Sequence, residues 1–306
     1  MVRKSGLKSP LADACKAAAF ASSGLKLRRK PLLDRAEILY HDLLRYLAKR
    51  MQAPSASDPE PLAIAILLGL YQLLVRLDPI WKRTENFLAG STFEVDSDML
   101  ALLKNEAVNL KNEIALWQKS QSEEIKAVTI DSGPPPKLAP GAGYWPGRVD
   151  MYIDLYVSTL WNVSRIARCL LITLITRLSG ILCDGVNHDA DRAEVSHLVE
   201  DMLASIPYHL SEDLQVFLRE RHEHTEITNP GRSVGGLLLM HPIYLASYLE
   251  IIPSDKRHYF KTCLVWIAQR MGVGQAAFLA QVKLAFPAHV LNSCTCVVAA
   301  YYWFVY

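Results

Sequence analysis

The sequence predicts an all-α protein: a multi-helix, repeat-like bundle built around one long central helix. Three observations carry that expectation. Apolar residues recur at spacings of three and four along most of the chain, which is the period of a helix face. No stretch reads as a run of alternating strands. Several of the periodic segments open on a capping residue and close on a proline or glycine, as helices do.

In chain order, residues 32–51 set Leu33, Ile38, Leu39, Leu43, Leu44 and Leu47 on one stripe of an amphipathic helix. Asp58, Pro59 and Glu60 suit the start of a helix over 62–75, with Asp78-Pro79 as its stop. Residues 97–127 alternate charge with Leu100, Leu103, Val108, Leu110, Ile114 and Trp117, which predicts a long helix with a single buried face. Five prolines and four glycines over residues 130–148 cannot continue a helix.

From Asp150 to Cys183 the chain is apolar on most sides, and this is the predicted central helix. A polar line through Asp154, Ser158, Asn162 and Arg165 reads as its only wet side. "DADRAEVSHLVEDMLASIP" predicts a capped helix ended by Pro207, and "GLLLMHPIYLASYLE" and "HYFKTCLVWIAQR" predict two more. The domain organisation follows: 1–129 as an N-terminal helical half, 130–148 as a Pro/Gly-rich linker, 149–283 as the C-terminal half of the same domain, and 284–306 as a hydrophobic tail.

Charge is unevenly placed. The net charge is +2, yet residues 1–50 hold twelve Lys or Arg against four Asp or Glu, so the remainder is net acidic. A basic leading segment containing Lys26 to Lys30 suits nucleic-acid proximity or nuclear import, although a solvated helix face explains it as well. The six cysteines, Cys15, Cys169, Cys183, Cys263, Cys294 and Cys296, form no C-x-x-C pair. They read as reduced thiols in apolar packing. Residues 62–75 are too short to span a bilayer, and residues 166–183 carry Arg168 and Arg177, so no membrane span is expected there. The uncharged tail, 284–306, differs from these, being interrupted by Pro287, His289, Asn292 and Ser293.

Four motifs suggest chemistry, and each has a plainer explanation. Gly272-Val273-Gly274-Gln275-Ala276-Ala277 spells a dinucleotide-binding loop. That loop needs a strand before it and an acid about 20 residues on. No Asp or Glu follows Asp255, and the lead-in has helical spacing. "GRSVG", Gly231 to Gly235, matches a nucleophile elbow around Ser233, with Asp255 and His258 or His289 as partners. The polar, proline-ended stretch before it supplies no buried strand. His222 and His224 fall on opposite sides of a helix, and Asp189 and Asp191 sit where capping explains them, so a metal site is not expected. Asn162-Val163-Ser164 is a glycosylation triplet inside the central helix, without a secretory context.

With these residues laid out, the chain resembles the C-terminal regulatory region of fungal binuclear zinc-cluster transcription factors. The likeness lies in "WPGRVDMYIDLYVSTLWNVSRIARCLL" (145–171), "LVEDMLASIPYHL" (198–210), "GGLLLMHPIYLAS" (235–247) and "CLVWIAQRMGVGQAAFLA" (263–280), and extends over residues 9–51 and 61–74. The resemblance implies an all-helical regulatory domain and makes the 270–280 stretch a helix–helix corner ended by Gly272. The chain departs from the family in lacking the six-cysteine zinc cluster, in a shorter spacer between residue 75 and Trp145, and in the tail after Phe286. A truncated or mis-spliced gene product would account for those departures.

The expectation is therefore a transcription-regulator-like helical domain of a fungal gene cluster, without a DNA-binding zinc cluster of its own. It is expected in the nucleus, with the cytoplasm as the alternative. No catalytic, cofactor-binding or metal residue is assigned, and no enzyme activity or cofactor is expected. Its partners are expected to be proteins, either a second copy or an intact family member, with no sequence-specific DNA binding. The competing readings are a helical interaction scaffold and, further off, a serine hydrolase through Ser233.

Overall fold

The computed structural model describes residues 29–51, 76–88, 97–131, 141–221 and 226–281, together with Pro10, Asp13, Ala14, Lys16, Ala17 and Phe20. Helix accounts for 76% of them, beside one small two-stranded sheet. The protein is all-α, as its apolar spacing predicts. Two compact units are present, Met1–Pro79 with Ala288–Tyr306, and Ile80–Pro287.

In the first unit, α1 spans Lys30–Met51. Ala36 and Leu43, seven residues apart, are buried, whereas Ile38 is 61% and Leu44 42% exposed. The expected single stripe therefore does not hold. At 100° per residue, Ile38 lies about 200° from Ala36 and cannot share its face. The helix expected over 62–75 lies outside the described residues. Residues 76–88 are helical, so Pro79 does not end a helix there.

The second unit begins its long elements with α2, Ser97–Ser120, which buries Leu100, Leu103, Ala107, Leu110 and Ile114. This helix stops before residue 127. A 3-10 turn at Glu123–Ile125 leads into β1, Val128–Asp131, which pairs antiparallel with β2, Val149–Met151. Val128 faces Met151 and Thr129 faces Asp150, with a bulge before Asp131. These strands were not expected, because three or four residues are too few to display a period. The described residues 141–148 lie within the second unit and are packed into it. Tyr144 is fully buried and meets Phe217 edge-on at 5.6 Å.

α3 spans Leu155–Leu182 and packs against α2 and against the later helices Asp189–Leu210 and Ser233–Ala246, which makes it the central helix. It starts later than Asp150, because β2 takes residues 149–151 and Asp154 accepts the Val157 amide at 2.8 Å as the cap. α4, Asp189–Leu210, runs through Pro207 instead of ending there. Proline removes its own N–H bond and crowds the carbonyl four residues back, yet the helix continues, and the last turn is closed by the Ser211 amide on the Pro207 carbonyl at 3.0 Å. α5 (Leu214–Glu220), α6 (Ser233–Ala246), α7 (Ser254–Arg270) and α8 (Gly274–Gln281) complete the unit.

Among the described residues, no helix is long and apolar enough to cross a membrane. The apolar 166–183 stretch keeps its two arginines occupied: Arg168 binds Glu194 at 2.6 Å, and Arg177 pairs with Glu85. The tail, 284–306, lies outside the described residues.

Candidate functional site

The polar line of α3 is not its wet side. Ser158 and Asn162 are fully buried and Arg165 is 4% exposed. The line faces α4, where Asp201, Ser205 and His209 recur every four residues. Three rungs join the helices. Ser158 Oγ lies 2.8 Å from His209 Nε2, the Asn162 amide donates to Ser205 Oγ at 2.8 Å, and Arg165 Nε lies 3.4 Å from an Asp201 oxygen. The numbers rise along α3 as they fall along α4, so the two helices are antiparallel.

Burying these groups would be costly without partners; each side chain has at least one, although His209 Nδ1 and Arg165 Nε make no hydrogen bond. Arg165 also donates to Asn162 Oδ1 at 3.0 Å and to the Tyr152 hydroxyl at 2.8 Å, and it lies over the Tyr152 and Trp161 rings. Arg148 bonds both Asp201 and the buried Asp150, whose carboxylate also accepts from Thr129 at 2.8 Å. Burial opposes the charge on Arg148, but the bonds to Asp201 and Asp150 prevail and hold its pKa above the ordinary value. Tyr208 donates to the Tyr152 carbonyl at 2.9 Å, so the seam is tied to the sheet as well.

A serine 2.8 Å from a histidine nitrogen has the spacing of a nucleophile and its base. The surroundings deny it that role. Burial pushes His209 down to about 3, outweighing the nearby Gly235 backbone. So weak a base leaves the Ser158 hydroxyl unactivated, and both side chains are closed to solvent. The pair is a packing contact.

A second polar ladder joins α2 to α3 and α4. Gln118 donates to Ser164 at 2.7 Å and accepts from Arg168, which also holds Glu194. Lys111 lies 3.0 Å from Asp191 and 3.5 Å from Glu194, and His188 Nδ1 lies 2.9 Å from Asp191. Asp191 therefore does not act as the expected cap. Its carboxylate is held by Lys111 and His188, and the Asp189 carboxylate by Arg192 at 2.9 Å. His222 and His224 lie outside the described residues.

Ser233 is the first residue of α6, and its hydroxyl donates to the Met271 carbonyl at 2.8 Å. Among the described residues, no strand leads into it. His289, one of its expected partners, lies outside the described residues. Gly235, the last residue of this motif, and the adjacent Gly236 serve contact between helices. A Cβ on Gly235 would stand 1.9 Å from the His209 carbonyl oxygen, and one on Gly236 would stand 2.8 Å from Ile267 and Met271. The dinucleotide-loop spelling is resolved likewise. α7 leads in, Gly272 takes a left-handed φ of +72°, and α8 starts at Gly274. Asn162, of the glycosylation triplet, is a rung of the seam. Of the thiols, Cys169 and Cys263 are buried, with burial raising them to about 12 and about 11, whereas Cys183 is exposed. Cys15, Cys294 and Cys296 lie outside the described residues.

The second unit is thus a helical bundle whose polar side chains join helix to helix. The chain is 39% identical, over 352 residues, to transcription factor dbaG of Emericella nidulans, covering 92% of this chain and 84% of that one. It belongs to that fungal transcription-factor family. The matched length exceeds the 306 residues of this chain, so the relative carries segments without a counterpart here. No family model and no solved structure matches the chain.

Proposed function

We propose that this chain regulates transcription in the nucleus, as a helical domain that works through protein contacts and performs no catalytic step. The observation that carries this reading is the 39% identity to a fungal transcription factor over most of the chain. The polar seam is consistent with it. Ser158 and His209 have the spacing of a reactive pair, but burial and the depressed basicity of His209 leave them a joint between helices. Ser233, the other nucleophile candidate, is bound to a carbonyl.

In this reading the chain does not select a DNA sequence by itself. Affinity for DNA comes largely from Lys and Arg meeting phosphates, and specificity from an element seated in a groove. The six cysteines contain no C-x-x-C pair, and on α1 Lys30 and Arg45 are each paired with an aspartate, Asp34 and Asp42. The partner is a second copy or a family member that brings its own DNA-reading element. Deleting the gene tests the regulatory role: a defined set of transcripts changes in abundance, and unchanged transcripts refute it. A gel-shift titration against a mixed oligonucleotide pool tests the second part. Weak, salt-sensitive, sequence-indifferent binding is expected, and selection of one sequence at physiological salt would overturn it.

A further inference from the structure

α2 has a second face, directed outward. Leu102, Asn105, Asn109, Asn112 and Leu116 recur at spacings of three, four, three and four, and all five are exposed, Leu102 by 51% and Leu116 by 64%. No charge stands on this line between Asp98 at one end and Lys119 at the other. A solvated helix face ordinarily carries charge. The order is also the same from either end: leucine, three asparagines, leucine, with Asn109 at the centre.

A line spaced by three and four is the geometry of a helix–helix seam. A palindromic line suits an identical helix running the opposite way. A two-fold axis at Asn109 then sets Leu102 against Leu116 and Asn105 against Asn112, an isologous contact. It also brings Asp98 near Lys119 at both ends, where parallel pairing would oppose like charges. We propose that a second copy of the chain docks on this face, α2 against α2, antiparallel about Asn109. The carboxamides, each with donors and an acceptor, pair across the axis and fix the register at a cost in affinity. The leucine pairs close the two ends. On one flank Glu106 approaches Glu113 of the other copy, and Arg83, bonded to Glu106, supplies the countercharge. The result is a weak, concentration-dependent dimer.

This surface gives the protein-contact reading above a definite partner, but it stands on the geometry of α2, so its test is independent of any transcript. Sedimentation equilibrium of the full chain over a range of concentrations is the measurement. The unaltered chain is expected to dimerise reversibly. L102E alone and L116K alone are expected to be monomeric, with helix content unchanged because both positions are exposed. Combining L102E with L116K is expected to restore the dimer, since only antiparallel pairing opposes the two introduced charges. A chain monomeric at every concentration, single variants that still dimerise, or a double variant that stays monomeric would each overturn the proposal. None of these results touches the regulatory role, which is read from transcripts.

Discussion

Asn162 of α3 donates its side-chain amide to Ser205 Oγ of α4 at 2.8 Å, and both side chains are fully buried. This bond is the middle rung of a seam whose other rungs are Ser158 with His209 and Arg165 with Asp201. Each rung works only in one register, because sliding α4 by a turn would leave buried polar groups without their partners.

The rungs should therefore be costly to remove singly. Asn162→Ala deprives Arg165 of one acceptor and Ser205 of its donor, and is expected to cost about 1–3 kcal/mol. Asp201→Ala leaves the 4%-exposed Arg165 without its carboxylate and is expected to cost about 2–3 kcal/mol, Asp201 itself being half-buried. Urea denaturation followed by circular dichroism reads both. Variants as stable as the unaltered chain would show that the seam contributes nothing.

Glycine substitutions separate contact from propensity. Gly180 lies in α3, and a methyl group added there would meet nothing within 4 Å, so Gly180→Ala should stabilise by about 0.5–1 kcal/mol. Gly235 is also helical, but a Cβ there meets the His209 carbonyl oxygen at 1.9 Å. Gly235→Ala should destabilise despite the same propensity gain. Opposite shifts in melting temperature are the expected result, and a rise for both would contradict the close approach of α6 to α4.

Acid should weaken the second unit. Burial lowers His209 to about 3 and His241 to about 4, from an ordinary value of 6.5. A histidine held neutral in the fold contributes stability that is present above about 6.5 and is lost as pH falls toward those lower values. Unfolding free energy measured from about pH 7 to about pH 4 should fall, and His209→Gln should flatten part of the slope. A profile identical in that variant would remove His209 from the account.

Much of this architecture was legible in the sequence, and the seam was half legible. The apolar length of α3 and Gly272 as a corner follow from local rules, which the structure obeys, whereas Asp154, read as part of a wet line, caps α3 instead. The polar line at 154, 158, 162 and 165 was visible too, but whether such a line meets water or another helix is a tertiary property. The missing signal was the matching series at 201, 205 and 209, hidden in a stretch that also supplies Met202, Leu203 and Ile206 to the core. Pro207 and Pro242 sit inside helices and are buried there, so tertiary packing outweighs the lost bond and the ring's clash with the carbonyl four residues back. The β1–β2 pair was out of reach, since its strands meet only through a contact about 20 residues apart in the chain.

Ser233→Ala should leave function unchanged and cost about 1 kcal/mol, through loss of the bond to the Met271 carbonyl. A fluorophosphonate probe should not label the residue. Covalent labelling at Ser233 would restore the hydrolase reading.

The central claim is that this chain acts on transcription through protein contacts. The most direct measurement fuses it to an unrelated DNA-binding domain and reads a reporter gene carrying that domain's site. The account predicts reporter output clearly different from that of the DNA-binding domain alone. Output equal to that of the DNA-binding domain alone, from a fusion shown to be folded and nuclear, would contradict it.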